Sequence, residues 1–381
     1  MPPRSKSSKS RKAIERRERK LLEARIKLSQ EKCDEALAFL EPVGRNAQPN
    51  YPKAMIALEG AIETYDANAN AFFLLGECLR GQGEHEKAIE GYSQCLEKDV
   101  THIRAMEGRA ASYIALEKWS YAFQDYTSII SVEPENDHAY NFRGLCILSK
   151  RVPGLRLLSM EFNQCVSDFQ TAIRLNEANY YAWTNLGKAY EEQGMLEEAL
   201  EAYSSALRVK EEYHHAQLRR GCLALRIVES SWMYKDDEQN EESKQPASNN
   251  LTTKIPKTQK EVEAEVLNEA AMAERRVKEE KLLQNAIADL QGLMTDDANK
   301  LKYDPWLPLN LGSCFLLQKV LNKAEEEFRL VTEIVNARSQ LVQDGEAEPI
   351  PDVESLMSVL NLRVEILKDM RSRRFLADRH Q

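Results

Sequence analysis

The sequence contains no long hydrophobic run, and this absence argues against a membrane-spanning helix. No stretch approaches the roughly 18 consecutive apolar residues that cross a bilayer. Pro2 follows the initiator methionine, so the glycine needed for N-myristoylation is also missing. We therefore expect no membrane insertion, and any membrane association would be peripheral.

Cysteine is scarce and forms no metal or disulfide pattern. The chain has seven cysteines, an odd number, and no C-x-x-C pair, which argues against both a disulfide framework and a zinc module. Most of them occupy small-residue positions of a helical pattern, so we interpret them as buried fillers. The sequence predicts no metal site and a reducing compartment.

The motifs of common enzymes are absent as well. There is no G-x-x-x-x-G-K-[ST] loop, no G-x-S-x-G elbow and no H-E-x-x-H pair. The six histidines are scattered, and the adjacent His214 and His215 point in different directions on a helix, so they would not share a metal ion. The sequence thus predicts a protein that is not an enzyme, with neither catalytic residues nor a cofactor.

Charge is divided unevenly along the chain. The net charge is -9, yet residues 1–20 carry nine Lys or Arg against Glu15 and Glu18, and residues 363–381 are also basic. We expect residues 1–15 to be a disordered basic arm. Its role stays open between a targeting signal, an RNA contact and a solubilising tail. The predicted location is cytoplasmic, with the nucleus as an alternative, while Glu15 and Glu18 disfavour a mitochondrial presequence.

What the sequence does contain is a two-helix pattern at residues 182–210. Apolar and small residues recur at helical intervals on both sides of a turn at Gly194: Trp183, Leu186, Gly187 and Tyr190 before it, and Ala199, Tyr203 and Ala206 after it. The small residues would let the two helices approach closely while the aromatic ones fill the space around them. The pattern therefore predicts a helix, a turn and a second helix.

This pattern resembles a tetratricopeptide repeat, whose consensus is W-x2-L-G-x2-Y, then A-x3-F, A and P over about 34 residues. With Tyr180 at position 1 the unit ends at Tyr213, and only the closing proline is missing, with Glu211 in its place. The same template marks further units near residues 35–68, 69–102, 103–136, 137–179 with an insertion around 151–160, 180–213, 214–300 with a long acidic insertion at 229–255, and 305–338.

The resemblance implies an all-α fold, a right-handed α-solenoid of about six to seven helix-turn-helix repeats within residues 16–338. Helix 16–40 would cap its start. Residues 339–381 would supply a linker, a C-terminal capping helix and a basic tail. We interpret the acidic insertion as a flexible loop. The long helix predicted at 257–293 is either solvated along its first half or offered to a partner, and the sequence leaves both open.

In this family the first helices of successive units line a groove, chiefly through positions 2, 5, 6 and 9. Carried onto this chain, the resemblance implies a peptide-binding groove that contains Asn141, Tyr181, Asn185, Lys188, His215 and Arg219. The expected function is a scaffold, adaptor or assembly factor that binds an extended peptide or helix of a protein partner. One alternative is a chaperone cofactor holding the acidic tail of a heat-shock protein in a degenerate carboxylate clamp. The other is a ribonucleoprotein component whose basic ends contact RNA.

Overall fold

A computed structural model describes residues 8–41, 49–150, 156–243, 259–294, 304–343 and 348–379. In these ranges every regular element is an α-helix, which agrees with the predicted all-α fold. The helices are α1 (Ser8–Leu40), α2 (Tyr51–Thr64), α3 (Ala69–Gly81), α4 (His85–Lys98), α5 (Ile103–Ala115), α6 (Trp119–Val132), α7 (Asp137–Ser149), α8 (Ser159–Leu175), α9 (Tyr180–Gln193), α10 (Leu196–Val209), α11 (His214–Ser243), α12 (Gln259–Gly292), α13 (Trp306–Leu317), α14 (Leu321–Gln343) and α15 (Val353–Arg379).

The chain divides into two compact units, Met1–Gln193 and Gly194–Gln381. In the first unit consecutive helices pack as pairs, α1 with α2, α3 with α4, α5 with α6 and α7 with α8, and each pair also packs on the next. In the second unit α11 packs on α12 and α13 on α14, and α15 packs against α13 and α14. Each helix pair therefore buries its apolar side against its neighbours in the chain.

Aromatic rings and glycines at fixed positions set the spacing of the first unit. Tyr92 on α4 is fully buried, and its ring lies between the backbones of α3 and α5. A β-carbon added at Gly76 or at Gly108 would lie 2.7 or 2.5 Å from that ring. Glycine is required at both positions because no side chain could share this space with Tyr92.

Helix starts and turns follow from particular side chains. Asn68 and Asn136 precede α3 and α7, and each side chain accepts a hydrogen bond from the backbone N–H three residues later. The Nδ1 of His102 makes the same bond before α5, to the N–H of Ala105 at 3.1 Å. These caps satisfy N–H groups that have no partner within the helix. The turn after α3 uses Gly83 at φ +80°, a conformation that favours glycine.

An arginine–aspartate pair joins the two helices of several hairpins. Arg109 on α5 binds Asp125 on α6 through two hydrogen bonds of 3.0 and 2.6 Å, and Arg143 on α7 binds Asp168 in the same way at 2.9 and 2.7 Å. Both aspartates are buried. Each arginine is the seventh residue of its helix, so the pair recurs at the same place in successive units.

The core of the second unit extends from α11 to α15. A β-carbon at Gly221 on α11 would lie 3.1 Å from Leu290 on α12, so these helices approach closely. Leu356 and Leu360 on α15 are buried in the same cluster. Arg363 on α15 also donates a hydrogen bond to the carboxylate of Glu229 on α11. The long helices α11 and α15 are thus anchored by both apolar and charged contacts.

Four stretches expected to be irregular are helical. The structure contradicts disorder at residues 8–15, which begin α1, and a loop at residues 229–243, which continue α11. It also continues α14 to Gln343, into the expected linker, and α15 to Arg379, through the expected basic tail. These segments are rich in Lys, Arg, Glu and Gln, which are good helix formers, and a helix started by packed residues extends at little cost. A polar sequence does not by itself distinguish a helix from a loop.

Other parts of these expectations lie outside the described residues. They are residues 1–7 of the basic arm, residues 42–48 of unit 35–68, residues 151–155 of the insertion in unit 137–179, residues 244–255 of the acidic insertion, residues 257–258 of the predicted long helix, residues 295–300 at the end of unit 214–300, residues 344–347 of the linker and residues 380–381 of the tail.

Candidate functional site

The first helices of the pairs in the first unit lie beside one another. Helix α1 contacts α3, α3 contacts α5, and α7 contacts α9. Four of the groove residues expected from the sequence lie on this series: Asn141 on α7, and Tyr181, Asn185 and Lys188 on α9. We call these four residues the first-helix site.

Two amide side chains meet in the first-helix site. The Nδ2 of Asn185 donates a hydrogen bond of 2.9 Å to the Oδ1 of Asn141. Asn141 is only 3% exposed, whereas Asn185 is half-buried. Asn141 therefore orients Asn185 and offers little surface of its own, which the sequence did not indicate.

Tyr181 and Lys188 provide the accessible surface of the first-helix site. The Tyr181 side chain is 49% exposed, and its ring centroid lies 4.3 Å from that of Tyr180. Lys188 is half-buried farther along α9. The site thus combines an aromatic face, an amide pair and a basic side chain. Such a surface can contact both the backbone and the side chains of an extended segment.

Helices α3 and α5, which are also first helices of their pairs, carry aromatic and charged residues that contact one another. The guanidinium of Arg104 lies 4.8 Å from the ring centroid of Phe73, and the ring of His102 lies 4.9 Å from the same ring. Phe73 itself is 2% exposed. Burial raises the pKa of the half-buried Glu107 above its ordinary value, although the charges of His138 and Arg104 act to lower it. Desolvation is the dominant effect at this carboxyl group.

A hydrogen-bonded network fixes Glu77 on α3. The Tyr92 hydroxyl donates to its carboxylate, and Arg80 donates to the same group at 2.8 Å. Burial acts to raise the pKa of Glu77, but the hydrogen bonds from Arg80 and Tyr92 outweigh it, and the pKa lies below its ordinary value. Glu77 therefore stays charged and serves the fold.

The sixth position of the first helix does not face a groove in every unit. Leu74 on α3 is buried, and Phe142 on α7 stacks on Tyr126 of α6 with ring centroids 5.4 Å apart. Both apolar side chains therefore pack against neighbouring helices, Leu74 within the core and the half-buried Phe142 at its edge.

His215 and Arg219 lie on α11 in the second unit. His215 is exposed, with its ring 6.1 Å from that of Tyr213. Arg219 is half-buried. Its neighbour Arg220 makes the buried ion pair of this hairpin, with Asp289 on α12. A binding role for His215 and Arg219 stays a prediction, as does a surface shared by all six residues.

The described residues include all the cysteines and also bear on metal sites and membrane-spanning helices. The seven cysteines all lie in described ranges and form no disulfide there, and burial raises the pKa of the Cys146 thiol to about 12. Across the described ranges, no group of three or more His, Cys, Asp and Glu is placed to hold a metal ion. None of the described helices is long and apolar enough to span a membrane.

Comparison with protein families supports the repeat assignment. The tetratricopeptide repeat profile matches residues 180–213, the same span that the consensus marks in the sequence. The profile of anaphase-promoting complex, cyclosome, subunit 3 matches residues 47–124. The chain is a tetratricopeptide-repeat protein. The expected all-α solenoid of such repeats is confirmed, and the repeats support a protein-interaction scaffold.

This tetratricopeptide-repeat protein is distantly similar to several curated proteins. It is 25% identical over 205 residues to the peroxisomal targeting signal receptor of Kluyveromyces lactis, covering 46% of this chain and 36% of the receptor. It is 22% identical over 180 residues to mouse DnaJ homolog subfamily C member 7, covering 44% of this chain and 35% of that protein. The chain spans about a third of the length of these relatives.

Solved structures of the same repeat type are also similar. A tetratricopeptide repeat protein from Parabacteroides merdae is 15% identical, with a TM-score of 0.49, covering 89% of this chain and 99% of that one.

Proposed function

We propose that this tetratricopeptide-repeat protein is a non-enzymatic adaptor or assembly scaffold that binds an extended peptide or a helix of a protein partner. The observation that carries the proposal is the first-helix site. There, the hydrogen-bonded pair Asn141–Asn185 lies on the same pair of helices as the exposed ring of Tyr181.

The chemistry of this site suits a peptide backbone. The Oδ1 of the half-buried Asn185 can accept a hydrogen bond from a backbone N–H of the partner. Because Asn141 already holds Asn185, this amide is ordered before a partner arrives, which lowers the entropy cost of binding. The ring of Tyr181 would then cover an apolar side chain of the partner, and Lys188 would favour an acidic one.

The relatives support a peptide as the ligand class. One is a receptor for a targeting signal, and the other is a DnaJ homolog, which favours the chaperone cofactor as the second candidate. In the carboxylate clamp one position requires an asparagine, and Leu145 occupies that position in this chain. An apolar side chain cannot hydrogen-bond a carboxylate. We therefore place the general peptide scaffold ahead of the clamp.

The test compares two exposed tyrosines, each of which lies against a neighbouring tyrosine ring. Tyr181 lies in the first-helix site, whereas Tyr121 is 55% exposed on α6, a second helix, and stacks on Tyr113 at 5.2 Å. A partner peptide would be identified by cross-linking to the full chain, and its affinity measured by calorimetry. We expect Tyr181→Ala to weaken binding about tenfold and Tyr121→Ala to leave it unchanged.

Arg219→Ala, measured with the same peptide, tests the second unit. If Arg219 binds a carboxylate of the partner, the affinity falls about tenfold or more while the melting temperature is unchanged. If the peptide bound the parent and the Tyr181→Ala variant with equal affinity, binding at the first-helix site would be refuted. A lower melting temperature of Arg219→Ala with unchanged affinity would assign Arg219 to the fold.

A further inference from the structure

Helix α1 is much longer than the helix on which it packs. The backbone N–H of Asn50 binds the carbonyl of Phe39, and the Ser29 hydroxyl binds the carbonyl of Ala61, so α1 and α2 are antiparallel. Near the other end, the Nε of Arg25 donates to the carbonyl of Thr64, the last residue of α2, at 2.8 Å. The part of α1 before Arg25 is about 25 Å long at a helical rise of about 1.5 Å per residue. This part extends past the end of α2.

The apolar stripe of α1 continues into the extension. Its residues are spaced alternately four and three apart along one face: Leu22, Ile26, Ser29, Cys33, Ala36 and Leu40. Ser29, Cys33 and Ala36 are fully buried, whereas Leu22 and Ile26 are 45% and 41% exposed. Leu21 and Leu28, at 57% and 48%, widen this exposed surface. The spacing matches the seam of a helix that packs on another helix.

We call residues Arg16–Leu28 the overhang. They comprise part of the extension and the turn of α1 beside the end of α2, and all of them are exposed. Its charges are predominantly basic. Arg16, Arg17, Arg19, Lys20, Arg25 and Lys27 stand against Glu18 and Glu23. Of the acidic residues, Glu23 is paired with Arg19 at 3.1 Å along the helix surface. The overhang therefore combines an unfilled helix-packing stripe with an excess of positive charge.

We infer that the overhang of α1 is a docking surface for an acidic amphipathic helix of a partner protein. The four-three spacing of the apolar residues selects a helix, and the basic flanks select negative charge on it. A second copy of the overhang would be repelled because it carries the same charge. RNA would use the basic residues but would leave Leu22 and Ile26 in water. This surface is separate from the first-helix site and does not depend on it.

A synthetic peptide tests the inference with the full-length protein. The probe is a fluorescent peptide about three heptads long, with leucine at the a and d positions and glutamate at e and g. We expect the peptide to bind the parent protein, and its affinity to fall as the salt concentration rises. The double variant Leu22→Asp and Ile26→Asp should weaken binding at least about tenfold. Ile56→Asp, at a residue 70% exposed on α2, should leave it unchanged.

Charge and fold are controlled separately. Replacing the glutamates of the peptide by lysine should abolish its binding. The double variant Lys20→Glu and Lys27→Glu of the protein should bind the acidic peptide more weakly than the parent does. The circular dichroism spectrum and the melting curve of the double variant Leu22→Asp and Ile26→Asp, which we call the leucine variant, should match those of the parent. If they do not, Leu21→Asp with Leu28→Asp provides the same test at more exposed positions.

Several outcomes would overturn the inference. One is that the acidic peptide fails to bind the parent protein at all. Another is that the double variant Leu22→Asp and Ile26→Asp binds the peptide with the same affinity as the parent. Self-association of the parent that the leucine variant abolishes would assign the overhang to a second copy of the chain. Binding to phosphatidylserine vesicles in place of the peptide would assign it to a membrane surface. Binding to single-stranded RNA that depends on Lys20 and Lys27, but not on Leu22 and Ile26, would assign it to nucleic acid.

Discussion

Arg220 on α11 holds Asp289 on α12 through two hydrogen bonds of 2.8 and 2.7 Å, although 69 residues separate them in the sequence. Arg220 is the seventh residue of its helix, as Arg109 and Arg143 are of theirs. Asp289 is 5% exposed, like the aspartates of the other two pairs. The same contact therefore closes the hairpin α11–α12, in which a long segment separates the two partners.

This pair should contribute substantially to the stability of the second unit. Asp289→Ala would leave the guanidinium of Arg220 without its carboxylate in a largely buried site, and we expect a loss of about 3 kcal/mol in the free energy of unfolding. Urea denaturation of the full chain would measure it.

The control replaces both partners by apolar residues, Arg220→Met with Asp289→Leu. This double variant should lose less than Asp289→Ala, because no charge is left buried alone. Unfolding of Asp289→Ala at the same urea concentration as the parent would show that the pair is not stabilising.

A second prediction concerns the close approach at Tyr92. Gly108→Ala would place a methyl group 2.5 Å from the Tyr92 ring, so the ring or α5 must move. We expect a destabilisation of about 1 to 3 kcal/mol, measured by thermal and urea unfolding.

Gly292 is the matched control because it also lies in a helix, at the end of α12, and an added β-carbon there meets nothing within 4 Å. Gly292→Ala should be neutral or slightly stabilising. If the two variants had equal stability, the tight packing around Tyr92 would be disproved.

A third prediction follows from the lowered pKa of Glu77. The folded chain holds this carboxylate charged, so the unfolded chain binds more protons near the ordinary pKa of about 4.3. The contribution of Glu77 to stability is fully present above that value and is lost as the pH falls through the lowered pKa. The difference in unfolding free energy between the parent and Glu77→Gln should be largest at neutral pH and shrink on acidification. Tyr92→Phe should reduce this pH dependence, because it removes one hydrogen-bond donor.

Glu107 provides a control of opposite sign. Its pKa is raised by burial, so its charged form opposes folding. Glu107→Gln should therefore be more stable than the parent at neutral pH. That advantage should disappear as the pH falls from the raised pKa to the ordinary value. Differences that do not change with pH for either variant would contradict both assignments.

The repeat could be recognised in the sequence because it is a local pattern. Each helix pair places its small and aromatic residues at fixed offsets, so both helices of a unit could be assigned without coordinates. A run of strong helix formers with no Gly or Pro before Gly292 predicted a long helix at residues 257–293, and α12 spans Gln259–Gly292.

The side chains that a partner can reach could be identified only from the packing of the helices. Asn141 and Asn185 occupy positions that the family uses for binding, but which of them is buried depends on how closely α7 and α9 approach. The exposure of Leu22 likewise depends on where α2 ends against α1. Burial is set by contacts between segments far apart in the chain, and a periodic pattern records only that a residue has an apolar side to bury.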